Sequence, residues 1–159
     1  MEKTDGGGLS LDNASFFDEV AWMLASGRTV TIRAKGGSMF PFIIGGHDLL
    51  VMHRCGTVRR GDIVLARLDD GSCVLHRVIG VRDGSVILMG DGNLHARERC
   101  GTDDVLGHVA VVVKGDGREV DCSSTVQRCL AALWMRLLPV RRVLLPLCRL
   151  VTGRMTNQR

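Results

Sequence analysis

The spacing of hydrophobic positions changes once along this chain, and the change separates one helix from a series of strands. In SFFDEVAWMLASG, Phe16, Val20, Met23 and Leu24 recur at helical spacing. Ser15 stands where an N-cap belongs, Asp18 follows three positions later as in a capping box, and Gly27 is placed to stop the helix. Trp22 on this helix is assigned to packing and given no role. From Val30 to Ala34 the period becomes two. The same alternation, or a short apolar run, returns in DLLVMH, DIVLARL, CVLHRVIGV, SVILMG and VLGHVAVVV. Turns ending in Asp lead into two of these, in GGHDLLV and RRGDIVL. The pattern predicts a mainly β domain, a coiled antiparallel sheet preceded by an amphipathic helix. The polar stretch KGDGREVDCSST closes the sheet and marks a boundary.

Beyond that boundary, QRCLAALWMRLLPVRRVLLPLCRLV is apolar enough to suggest a membrane span, yet it holds Arg136, Arg141, Arg142 and Arg149. Each arginine near a bilayer centre costs about 2.5–3.5 kcal/mol, so four oppose spanning, and Pro139 and Pro146 interrupt the helix. A basic apolar helix is predicted instead. Two placements remain open for it, against the sheet or a partner, and at the headgroup level of a membrane. The expected organisation is a flexible lead over 1–13, a domain over 14–116, a linker over 117–128, the helix over 129–152 and a tail over 153–159.

Composition adds an asymmetry. The net charge of +4 conceals that no carboxylate follows Asp121 and that seven of the 21 basic residues lie from Arg128 onward. The preceding region is left with 14 basic against 17 acidic groups. A basic, apolar tail suits anionic lipid, nucleic acid or an acidic protein, and charge alone does not choose. The six cysteines form no CxxC pair and are read as free thiols. The five histidines lack metal-ligand spacing, so neither metal nor cofactor is expected. The polar, glycine-rich N-terminus has no secretory-signal order, which gives a cytoplasmic reading, with a peripheral place at the inner face of the membrane through the C-terminal helix.

Two residues stand out chemically. GGSMFP puts the hydroxyl of Ser38 after Gly36 and Gly37 and before an X-Pro pair, a stiff exposed turn in which Pro41 is expected to keep Phe40 extended beside a peptide. Serine needs a base within reach. The lysines, Lys3, Lys35 and Lys114, are poorly placed in sequence, whereas His76 lies within the strand VLHRVIG. The alternative for His76 is a satisfied core histidine. His47, His53, His95 and His108 are read as surface or structural. Met39 and Phe40 are candidates for a pocket wall or for core.

The ordered segments GGSMFP, RRGDIVL, VLHRVIG and MGDGN resemble the boxes of the signal peptidase I and LexA-like serine peptidase superfamily over about residues 28 to 114. The resemblance implies a mostly antiparallel β peptidase fold and a serine endopeptidase with Ser38 as nucleophile. The usual bacterial members have lysine where this chain has His76. Histidine followed by arginine, as in His76 and Arg77, is similar to the microsomal and archaeal-type branch. That branch implies a Ser–His acyl-enzyme mechanism, with cleavage after small residues of a peptide or protein precursor. Asp91 in MGDGN is the expected orienting acid, since the counterpart region of the further family aspartate reads LHARER and the acid is missing there. Asp103, Asp104 or a bare dyad are the alternatives. Gly36, Gly37, Met39 and Phe40 are expected to contact substrate. Gly36 stands where many relatives carry a hydroxyl, which leaves a catalytically weak or inactive peptide-binding module as the rival reading. No specific nucleic-acid partner is expected.

Overall fold

The computed structural model describes residues 13–156, so nearly all of the expected lead lies outside the described residues. Helix α1 (Asn13–Ala25) begins two residues before Ser15, which places the expected cap inside the first turn. Asp18 does not close a capping box; its carboxylate pairs with Arg67. The helix ends as predicted. Gly27 adopts a φ of +77°, open to a residue without Cβ, and the amides of Gly27 and Arg28 donate to the carbonyls of Leu24 and Met23, each at 3.0 Å. Trp22, expected to pack, is 60% exposed beneath the Arg28 guanidinium.

The strands are β1 (Val30–Arg33), β2 (Leu49–His53), β3 (Ile63–Arg67), β4 (Cys73–Arg82), β5 (Ser85–Met89), β6 (Glu98–Gly101), β7 (Val105–Val113) and β8 (Glu119–Asp121). Every pairing is antiparallel, in the order β1-β2-β7-β3-β4-β5-β6, with β8 alongside the end of β7. Bulges interrupt β7, opposite β2 and again opposite β3, and β4, opposite β5, and let the sheet coil. The six predicted strands are present. Strands β6 and β8 were not predicted: ERCG is short and charged, and EVD lies inside the stretch expected to be boundary and linker.

Central strand β3 shows why the sheet needs both kinds of pattern. Ile63 and Leu65 join Val20, Leu24, Leu50, Met52, Val109 and Val112 in one cluster, while Val64 and Ala66 join Val78, Val86, Leu88 and Val105 in another. Apolar groups are required on both faces, and the strand reads as a continuous run rather than an alternation.

Past β8, Ser124 caps helix α2 (Thr125–Arg136), accepting a hydrogen bond from the amide of Gln127. The single helix expected over 129–152 is two. A 3₁₀ turn at Leu138–Val140 separates α2 from α3 (Arg141–Thr156), and Pro139, which has no N–H to continue an α-helical ladder, lies in that turn. Trp134 and Leu145 bury their side chains with Phe40 in a third cluster beside Phe42 and Leu94.

Three buried charged side chains, Arg77, Asp91 and Arg141, join these layers. The Arg77 guanidinium of β4 grips Asp91 in the loop after β5 by two bonds, Nε to Oδ1 at 2.8 Å and Nη2 to Oδ2 at 2.7 Å, and Nη1 donates to the Gly61 carbonyl at 2.7 Å. The Asp91 carbonyl accepts from Trp134 Nε1 at 3.0 Å, and buried Arg141 spans the carbonyls of Trp134, Asp91 and Asn93. Removing one partner of a buried pair leaves the other charge uncompensated. Asp91→Ala is therefore expected to lower unfolding free energy in urea by about 3–5 kcal/mol, and a loss within the error of the wild-type measurement would show the bridge to be dispensable.

The six cysteines are free thiols in differing surroundings. Burial pushes the Cys122 thiol up to about 11, whereas Cys129 is exposed on α2. The thiolate is the reactive form and the folded-state pKa is raised, so Cys122 reacts appreciably only as pH climbs toward that value. At pH near 8, mass spectrometry after brief iodoacetamide treatment should find Cys129 modified and Cys122 intact; equal labelling would contradict the burial.

Candidate active site

Ser38 lies in the turn joining β1 to β2, and glycines close that turn from two sides. A Cβ on Gly45 would fall 1.9 Å from the Gly36 carbonyl oxygen, so only glycine lets these segments meet. On the other side the MGDGN loop backs the serine. The Gly92 amide donates to the Ser38 carbonyl at 2.8 Å, and a Cβ on Gly90 would approach that oxygen to 2.5 Å. Because Asp91 of the same loop is tied to Arg77, the serine turn is fixed relative to β4, where His76 precedes Arg77.

Ser38 and His76 line one cleft of about 890 Å³. Its walls come from residues 31–35 and from residues 73–76 of β4. β1 ends the sheet, and β5 pairs only with residues 77–82 of β4, so among the described residues both walls keep a strand edge without a partner. An extended peptide satisfies such edges by adding a strand.

The expected substrate contacts divide. Gly36 and Met39 line the cleft, with Met39 also in the main core. Gly37 and Phe40 do not line it. The Gly37 carbonyl accepts from the Phe40 amide and lies against Gly92, and Phe40 is buried with Trp134 and Leu145. Phe40 lies in a turn, and the Phe40–Pro41 peptide is cis.

His76 is buried, and its Nδ1 meets Glu98 Oε2 at 2.9 Å. Asp91, expected to orient this ring, is committed to Arg77 instead, and Asp104, one of the alternatives, accepts from the Gly101 amide. Asp103 lines a separate hollow near Trp22. Glu98, which the sequence reading passed over within LHARER, is the acid beside the histidine. The signal that finds it is strand register, since Glu98 pairs with Leu88, and Leu88 pairs with Val78, two residues beyond His76.

The lysines also separate. Lys114 Nζ donates to the Asp48 carboxylate at 2.8 Å and to the Phe42 carbonyl, while Lys35 lines the same cleft as Ser38 and is exposed. Among the described residues no three His, Cys, Asp or Glu side chains gather as ligands for a metal ion.

No curated protein matches this chain. A family model described as Peptidase S24-like matches residues 9–113. Peptidases of this LexA-like family use a Ser–Lys dyad, which overturns the placement in the Ser–His branch of signal peptidases and, with it, the Ser38–His76 acyl-enzyme mechanism expected from sequence. The His76–Glu98 contact by itself is also what a satisfied buried histidine looks like. The family is one of serine peptidases, hydrolases that act in proteolysis, and a peptide or protein substrate is consistent with it. This chain belongs to the Peptidase S24-like family of LexA-like serine peptidases.

Proposed function

We propose that this chain is a serine peptidase that takes an extended stretch of peptide or protein between β1 and the first half of β4 and cuts it with Ser38, using an amine as proton acceptor in the Ser–Lys manner of its family. The observation carrying this reading is the placement of Ser38 between two unpaired strand edges on one cleft. Lys35 is the lysine of that cleft. A peptide laid along β1 covers Lys35 and shuts water out of the cleft. Ser38 Oγ then attacks the scissile carbonyl as the amine takes its proton. The same proton passes to the departing amine of the peptide, and water later releases the acyl group from Ser38. The Ser38 amide is the donor assigned to the developing oxyanion. His76, held by Glu98, forms part of the polar wall.

Hydrolysis of an unstructured protein and labelling by a fluorophosphonate test the assignment together. Ser38→Ala should abolish both. Lys35→Met should lower kcat by about 100-fold or more with a much smaller change in KM. Lys35→Arg should not restore the rate, because a guanidinium does not give up its proton. A wild-type rate in Lys35→Met combined with complete loss in His76→Ala would defeat the role given to Lys35, and labelling that persists in Ser38→Ala would defeat the nucleophile.

A further inference from the structure

The C-terminal helices bury one face and leave an apolar face outside. On α3, Val143, Leu147, Leu150 and Val151 follow the i, i+4, i+7, i+8 spacing of one stripe and are 51–73% exposed. On α2, Val126, Leu130 and Leu133 form a similar exposed stripe. These seven account for most of the exposed large hydrophobic residues of the described region. An ordinary surface helix turns polar groups to water on the side opposite its buried face. Here Trp134, Arg141 and Leu145 face the domain, and aliphatic side chains face away from it.

The charged side chains of α2 and α3 are all basic. Arg142 and Arg149 lie along the flank of the α3 stripe, and no carboxylate follows Asp121 in the sequence. Between α2 and the sheet a second cleft, of about 630 Å³, is lined by Arg59, Arg60, Arg128 and Arg136, with Asp62 as its one carboxylate. Asp62 already accepts from the Arg59 amide at 2.8 Å and lies 4.0 Å from Arg128. Arg59, Arg60, Arg136 and Arg142 have no ion-pair partner among the described residues. No described helix is long and apolar enough to cross a membrane.

We infer that α2 and α3 form a dock for the surface of an anionic lipid bilayer, the aliphatic stripes entering the headgroup–acyl boundary and the arginines along their flanks taking lipid phosphates. An apolar outer face with cations at its side matches a bilayer boundary, where both kinds of group are satisfied together. A nucleic acid would need the cations, not the aliphatic stripe, at the centre of contact. This inference does not depend on Ser38 chemistry, and its test reads binding rather than turnover.

Vesicles of equal parts phosphatidylglycerol and phosphatidylcholine, and vesicles of phosphatidylcholine alone, are floated with the full chain. Partitioning should be about tenfold or more stronger on the anionic vesicles and should fall as salt is raised. Val143→Glu/Leu147→Glu/Leu150→Glu and, separately, Arg136→Glu/Arg142→Glu should each remove that binding. Circular dichroism and Ser38 labelling should stay as in the wild type, which distinguishes a lost dock from a lost fold. No partitioning of the wild-type chain, or undiminished partitioning of either variant, would overturn the inference. So would sedimentation showing that the aliphatic substitutions split a dimer without changing vesicle binding, or tighter retention on duplex DNA than on anionic vesicles.

Discussion

The grip of Arg77 on Asp91 sets the geometry of everything around Ser38. One end of the bridge is on β4, directly after the residue that walls the cleft, and the other is in the loop whose Gly92 amide holds the Ser38 carbonyl. The serine turn is thus located by a guanidinium fork rather than by its own short chain. Two parallel bonds fix both distance and rotation, which a single contact would not. A buried ion pair is a weak source of net stability because both charges have left water. Its value here is positional: the loop, the strand and the turn move as one body or the pair is broken.

Much of the fold was legible because the hydrophobic period is a direct consequence of which faces are buried. β2 alternates, with Leu50 and Met52 inward, and β3 does not, because its two faces serve two clusters. The missed strands are those that period cannot reveal. β6 ends the sheet and spells ERCG, with charge on an edge that must not recruit another strand, and β8 is three residues long. The division of the last helix was signalled by Pro139, but a proline within an apolar run fits a kink as well as a break.

The site was legible in part, and the failure over Asp91 has a geometric cause. Neighbouring residues on a strand point to opposite faces, so an acid that reaches Arg77 is on the wrong side of β4 to reach His76. The two clefts show this, with His76 lining the one that holds Ser38 and Arg77 lining the one beside α2. Order along the chain put Asp91 close to both. Only the register of β5 and β6 brings Glu98 to the histidine, and register is a property of paired strands, not of a motif. Base identity had the same weakness. A histidine among apolar neighbours suggests catalysis and satisfied burial equally, and it was the family match that favoured an amine over an imidazole.

The bridge also determines how the C-terminal helices relate to the cleft. Trp134 and Arg141 do not rest on apolar surface alone; they donate to the main-chain carbonyl of Asp91, the residue whose side chain holds Arg77. Phe40, two residues after Ser38, is buried against Trp134 and Leu145, and the Arg149 guanidinium lies 5.9 Å over its ring. The helices therefore grip the serine turn and its supporting loop together. A face of α2 or α3 that settles on a surface does so at a set angle to the cleft, because the intervening contacts are directional hydrogen bonds rather than a linker. The expectation of a boundary between domain and tail misses this: β8 and the Ser124 cap carry the chain from β7 into α2 without a slack segment, and burying Arg141 makes the last helices part of the framework that holds Ser38.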